Sequence, residues 1–123
     1  MNCLLDTHAF LWAVFGPEKL SRKARAVIAD PGNEICLSSI SLWEISLKFG
    51  LGKLTLEHCT PESLLAVARE MGLTLISANA DESASFHRLP RVPHRDPFDR
   101  MLAWQAIQRQ LVLITKDSAL PAY

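Results

Sequence analysis

Asn2-Cys3-Leu4-Leu5-Asp6 is an almost wholly apolar run closed by a carboxylate. Leu111-Val112-Leu113-Ile114-Thr115-Lys116-Asp117 repeats the arrangement near the other end of the chain. A short run with no polar alternation reads as a central strand of a parallel sheet, because both of its faces are buried. Two further runs, Glu34 to Leu37 and Leu73 to Ile76, lie between these. Helical patterns fill the gaps. Thr7 to Phe15 stops at Gly16-Pro17. Ser21 to Ala29 carries Ala24, Val27 and Ile28 at helical spacing and breaks at Asp30-Pro31-Gly32-Asn33. Ser41 to Phe49 ends near Gly50 and Gly52. Thr60-Pro61, a cap followed by proline, opens a helix that Gly72 ends. Ala80 to His87 and Phe98 to Gln110 complete the set, and Ser118 to Tyr123 is too short for another full helix. Alternation of strand and helix predicts a three-layer α/β/α sandwich with a central parallel sheet, in a single domain over residues 1–123.

In open parallel sheets, ligands bind beyond the carboxyl ends of the strands, where strand order reverses. Asp6 and Asp117 fall at such ends. If their strands are neighbours at the switch point, both carboxylates face one crevice. Glu44, Asp96 and Asp99 read as acids near helix starts. Each has a local explanation as well. Glu44 follows Ser41 at the spacing of a capping box, Asp96 is a good N-cap before Pro97, and acids in a first turn suit the helix dipole. Asp6 and Asp117 can each cap the next element of the chain. Taken together, however, carboxylates converging on one crevice repel one another and call for a counter-charge. Mg²⁺ or Mn²⁺ supplies it and prefers carboxylate and water oxygens. Such a centre activates water and offsets charge on a phosphoryl group, so the pattern points to a metal-dependent enzyme acting on phosphodiesters.

Composition bounds the rest. The 123-residue chain is 49% hydrophobic and carries zero formal net charge. That fraction excludes intrinsic disorder, and neutrality removes a global basic excess as a route to nucleic acid without excluding a local basic strip. Three cysteines, Cys3, Cys36 and Cys59, show no metal-ligand spacing, and an odd count without a secretory signature fits a reducing cytoplasm. Residues 1–5 are too short and uncharged for a signal peptide, and no apolar stretch approaches the length of a membrane span.

The chain resembles PIN-domain proteins of the VapC toxin type. The matching stretches are Leu5-Asp6-Thr7-His8, Ser38 to Lys48 (SSISLWEISLK), Gly52-Lys53-Leu54, His94 to Ala106 (HRDPFDRMLAWQA) and Leu111 to Asp117 (LVLITKD), in order over nearly the whole chain. The resemblance implies that Asp6, Glu44, Asp99 and Asp117 are the catalytic acids and hold Mg²⁺ or Mn²⁺. Asp96 belongs to a subgroup pattern, Asp-Pro-Phe-Asp-Arg, and is expected to act indirectly, chiefly as the N-cap. Thr115 and Ser38 or Ser39 resemble positions whose hydroxyls hold carboxylates or water near the site. Arg95, Arg100 and Lys116 are candidates for RNA phosphate contacts, with ion pairing to Asp96 and Asp99 as the alternative. His94 and His8 contact phosphate or pack locally. The implied activity is metal-dependent endonucleolytic cleavage of RNA by the toxin half of a toxin–antitoxin pair. The implied partners are RNA, a small antitoxin and a second copy of the chain, with operator DNA reached only through the antitoxin and no membrane.

Phe10, Trp12 and Phe15 on the first helix suggest an antitoxin groove or dimer surface. Trp43 and Trp104 read as packing or interface residues. Lys48 and Lys53 either extend a basic strip or are solvated. A non-catalytic RNA-binding or scaffold protein of the same fold is the main rival, and retention of all the acids speaks against it. A phosphoacceptor signalling domain needs an early acid pair that Asp6 lacks, and a haloacid-dehalogenase-like phosphatase needs Asp-x-Asp where Thr7-His8 stand.

Overall fold

The computed structural model describes residues 1–91, 96–115 and 119–120. His94, Arg95, Lys116 and Asp117, expected at the site, lie outside the described residues. In chain order the elements are β1 (Asn2–Leu5), α1 (Thr7–Phe15), α2 (Arg22–Ala29), β2 (Glu34–Ser38), α3 (Ser39–Gly50), α4 (Pro61–Glu70), β3 (Thr74–Ile76), α5 (Ala80–Ser85), α6 (Pro97–Arg109), β4 (Val112–Ile114) and β5 (Ala119–Leu120). Short 3-10 turns at Pro17–Lys19 and Phe86–Arg88 join them.

The strand order is β3-β2-β1-β4-β5. The first four are parallel, with Cys3 level with Ile35 on one side and Val112 on the other. The predicted three-layer sandwich around a central parallel sheet is therefore observed. Beyond it, β5 pairs antiparallel with β4 at the sheet edge. A two-residue strand carries no periodicity, so its sequence does not announce it.

The pleat sends alternate side chains to opposite faces. Cys3, Leu5, Ile35, Leu37 and Ile114 meet Phe10 of α1, Ala24 of α2 and Leu64 of α4 on one face. Leu4, Cys36 and Leu113 meet Leu102 and Ala106 of α6 on the other. Helix α3 reaches both layers, with Ile45 in the first and Ile40 in the second. Gly72 follows α4 at φ 77°, a left-handed conformation that a residue without Cβ adopts readily.

Helix α3 begins earlier than its apolar spacing suggests. Ser38, not Ser41, is its N-cap, accepting from the Ile40 N–H, so Glu44 stands a full turn inside the helix. The Ser41–Glu44 capping box is thereby corrected. The reciprocal boxes that do form are Thr60 with Ser63 and Asn79 with Glu82.

Candidate metal and phosphodiester site

Strand order runs from β1 outward through β2 to β3, then returns to place β4 on the other side of β1. The switch point is thus the β1/β4 junction, where Leu5 pairs with Ile114 and the Asp6 N–H donates to Ile114 C=O at 2.9 Å. Asp6 stands at the carboxyl end of β1, and Thr115 at that of β4.

Asp6 also caps α1, one carboxyl oxygen accepting from the Ala9 N–H at 2.7 Å. Its pKa is nevertheless pushed up to about 6. Burial is the largest cause; the Ala9 N–H and His8 oppose it, and the charges of Asp99 and Glu44 add to it. Three acids, from β1, α3 and α6, therefore act in one electrostatic neighbourhood although they span most of the chain.

Glu44 is 2% exposed, and a buried carboxylate needs partners. The Thr7 hydroxyl donates to Oε1 at 2.6 Å, with the Ser41 hydroxyl 3.1 Å from Thr7 Oγ1. Lys48, one helical turn further along α3, brings Nζ to 2.5 Å from Oε2. The hydrogen bond to Glu44 raises the Lys48 pKa, burial opposes this, and the charges of Glu44, Asp96 and Asp99 raise it further. A cavity of about 50 Å³ opens here, lined by Thr7, His8, Leu11, Glu44 and Lys48. That is room for ordered water.

Asp96 is the N-cap of α6, its carboxyl accepting from the Asp99 N–H at 2.8 Å. Asp99 follows in the first turn, where a negative charge meets the positive end of the helix dipole.

The other expected residues make the following contacts. The Ser38 hydroxyl donates to Gln105 Oε1 at 2.6 Å, and the Ser39 hydroxyl accepts from the Ala78 N–H at 3.3 Å. The hydroxyl that donates to the Glu44 carboxylate is that of Thr7, beside Asp6 in sequence. Arg100 makes contacts within the protein. Its guanidinium lies 5.3 Å over the Phe86 ring and donates to Leu89 C=O at 3.4 Å, because a one-residue step along α6 turns it away from the direction of Asp99. Phe10 is fully buried, not part of a partner surface. Thr7, Ser41 and Lys48 stand within the stretches quoted above, but the sequence did not pair Thr7 or Lys48 with Glu44. The signal that points to the Lys48 contact is its i,i+4 spacing from Glu44.

Oxygen donors of carboxylate type fit Mg²⁺ or Mn²⁺ better than softer metals. The raised Asp6 pKa comes first from burial, with the charges of Asp99 and Glu44 adding to it, and a bound cation would oppose both. Among the described residues no group of three or more His, Cys, Asp or Glu side chains is placed to hold an ion. Asp6, Glu44 and Asp99 supply oxygen donors of the type such an ion takes, but in this arrangement the described residues do not gather three of them around one point.

A model of the PIN domain family matches residues 3–123. The chain belongs to the PIN family. Among solved structures, the PIN fold of this chain is similar to a chain of VapBC2 from Rickettsia felis bound to a DNA fragment from their promoter. That likeness has a TM-score of 0.65 at 18% identity, over 96% of this chain and 99% of the other. No curated protein matches. No helix among the described residues is long and apolar enough to cross a membrane.

Proposed function

We propose that this PIN-domain protein is the toxin of a toxin–antitoxin pair, a Mg²⁺- or Mn²⁺-dependent endoribonuclease acting in the cytoplasm. The observation that carries the reading is Asp6 at the β1/β4 switch point, its carboxyl pushed up to about 6 by burial and by Asp99 and Glu44. Family membership supports a nuclease, and PIN-domain nucleases generally use divalent metal ions. The VapBC2 likeness supports the toxin assignment and an antitoxin partner.

Asp6, Glu44 and Asp99, with Asp117, are the residues proposed to hold the metal. When bound, it activates water and neutralises charge on the phosphoryl group. The chain's own residues do the positioning. Asp6 is oriented by the Ala9 N–H, and Glu44 by Thr7 and Lys48. Asp96 fixes the first turn of α6 and so the place of Asp99. Thr115, directly after β4, is proposed to hold water or carboxylate at the junction. Arg95, Lys116 and His94 are proposed to meet the RNA phosphates.

Two grooves are proposed for partners. One, of about 440 Å³ and mixed polarity, is lined by Leu11, Trp12, Phe15, Lys19, Leu54, Thr55, Leu56 and Glu57, and is assigned to the antitoxin. The other, of about 340 Å³, lies between α3 and α6, where Trp43 meets Phe98 edge-on at 5.2 Å. Trp43 is 60% exposed there, and a second copy of the chain is the proposed occupant.

The test is an RNA cleavage assay on purified protein. Cutting is expected with Mg²⁺ or Mn²⁺, none with EDTA, and a loss of roughly a hundredfold or more in Asp6→Asn, which removes charge at nearly constant shape. Metal-independent cutting, or an undiminished Asp6→Asn rate, contradicts the mechanism. RNA binding without cleavage would move the protein to the non-catalytic reading.

A further inference from the structure

Glu44 has both carboxyl oxygens engaged within the protein, Oε1 by Thr7 and Oε2 by Lys48. Lys48 is unlike an ordinary solvated surface lysine. Its side chain is 38% exposed while that of Glu44 is 3% exposed, so Lys48 is the solvent-facing member of the pair. Its charge also senses Asp96 and Asp99 from α6. Lys48 also lines the small cavity, with Thr7, His8, Leu11, Ile45 and Leu54. Among the described residues, the ion pairs at short distance are Lys48–Glu44 and Arg109–Glu82, and Glu82 is tied into a separate network through Gln105 and Arg109.

We propose that Lys48 is the built-in counter-ion of the acidic site, a positioning residue that holds Glu44 and offsets the site's negative charge when no metal is present. The inference rests on the metal-site reading above. Its physical content is a competition. A cation covalently fixed to α3 stabilises the metal-free carboxylates, and repels any second cation entering among them. Lys48 therefore makes the metal-free protein more stable and its metal affinity weaker than the acids alone would give. The same pair of contacts fixes the Glu44 carboxylate in place: Lys48 holds one oxygen from the solvent side while Thr7, on α1, holds the other.

The test is Mn²⁺ titration by calorimetry together with thermal melting in EDTA and in Mn²⁺. Lys48→Gln keeps a hydrogen-bond donor near Glu44 without charge, and Lys48→Arg keeps the charge. Lys48→Gln should melt lower in EDTA, bind Mn²⁺ roughly three- to tenfold more tightly, and gain more melting temperature from Mn²⁺ than the wild type does. Lys48→Arg should stay close to wild type in all three. If Lys48→Gln does not fold without metal, Lys48→Met refolded with Mn²⁺ is held to the same tightening. A wild type that binds Mn²⁺, with Lys48→Gln affinity equal or weaker, overturns the inference alone. A wild type that binds no Mn²⁺ overturns the metal-site reading and the inference with it.

Discussion

At the scale of single residues, Asp6 does two things that oppose each other. It caps α1, which favours its charged form, and it sits half-buried in the field of Asp99 and Glu44, which disfavours it; desolvation wins and the pKa rises from 3.8 to about 6. A raised folded-state pKa means the native state holds the proton more tightly than the unfolded chain does. Its stabilising contribution is then present below about pH 4 and is lost as pH rises through about 6. In EDTA, the wild type should lose stability across that interval. Asp6→Asn keeps a capping oxygen and has no charge to lose, so at pH 7.5 it should be more stable than wild type by about 1–3 kcal/mol, the two converging near pH 4. Denaturant melts at both pH values check this, and an Asp6→Asn protein less stable at pH 7.5 contradicts the electrostatic account. The place of Asp6 was legible because a carboxylate closing an apolar run is a strand-end signal in one dimension. Thr7 was not, since its partner Glu44 lies 37 residues away and only the docking of α1 on α3 brings them together.

At the scale of elements, the site depends on how α3 and α6 are held. Ser38 at the start of α3 donates to Gln105 of α6, whose amide donates to Glu82 of α5 at 3.3 Å, and Arg109 closes the chain with two hydrogen bonds to Glu82. Burial pushes the Glu82 pKa up, but hydrogen bonds from Arg109, the Asn79 N–H and Gln105 bring it below the ordinary value. This buried polar chain fixes the two helices that carry Glu44 and Asp99, and it was invisible to periodicity, which treats Ser38 and Gln105 as isolated polar residues. Apolar spacing did predict which helices exist, and began α3 two residues late, where Ser38 rather than Ser41 is the cap. Helix α1 divides its aromatics by depth: Phe10 is core, Trp12 is half-buried against that core, and Phe15 is 50% exposed. Phe15→Ala should therefore change stability by less than about 0.5 kcal/mol yet weaken co-purification with the proposed antitoxin. Trp12→Ala should do both, with a stability loss of about 1–3 kcal/mol. Retention of the complex by Phe15→Ala removes the α1 groove from the antitoxin interface.

At the scale of the whole molecule, topology makes the site. Alternating strands and helices were enough to predict a parallel sheet, because buried strands and amphipathic helices have different periods. Strand order was a condition, not a reading, until β1 and β4 were seen side by side. That adjacency puts Asp6 and Thr115 at one junction, while α3 and α6 carry Glu44 and Asp99 into its field. The central claim is that these acids form one metal centre. It is tested most directly by a crystal structure grown with Mn²⁺ and read by anomalous scattering. The account predicts a peak with carboxyl oxygens of Asp6 and Asp99 at roughly 2 Å, and Asp96 still on the Asp99 N–H rather than on the ion. A well-occupied Mn²⁺ peak away from Asp6, or none at saturating Mn²⁺, would contradict it.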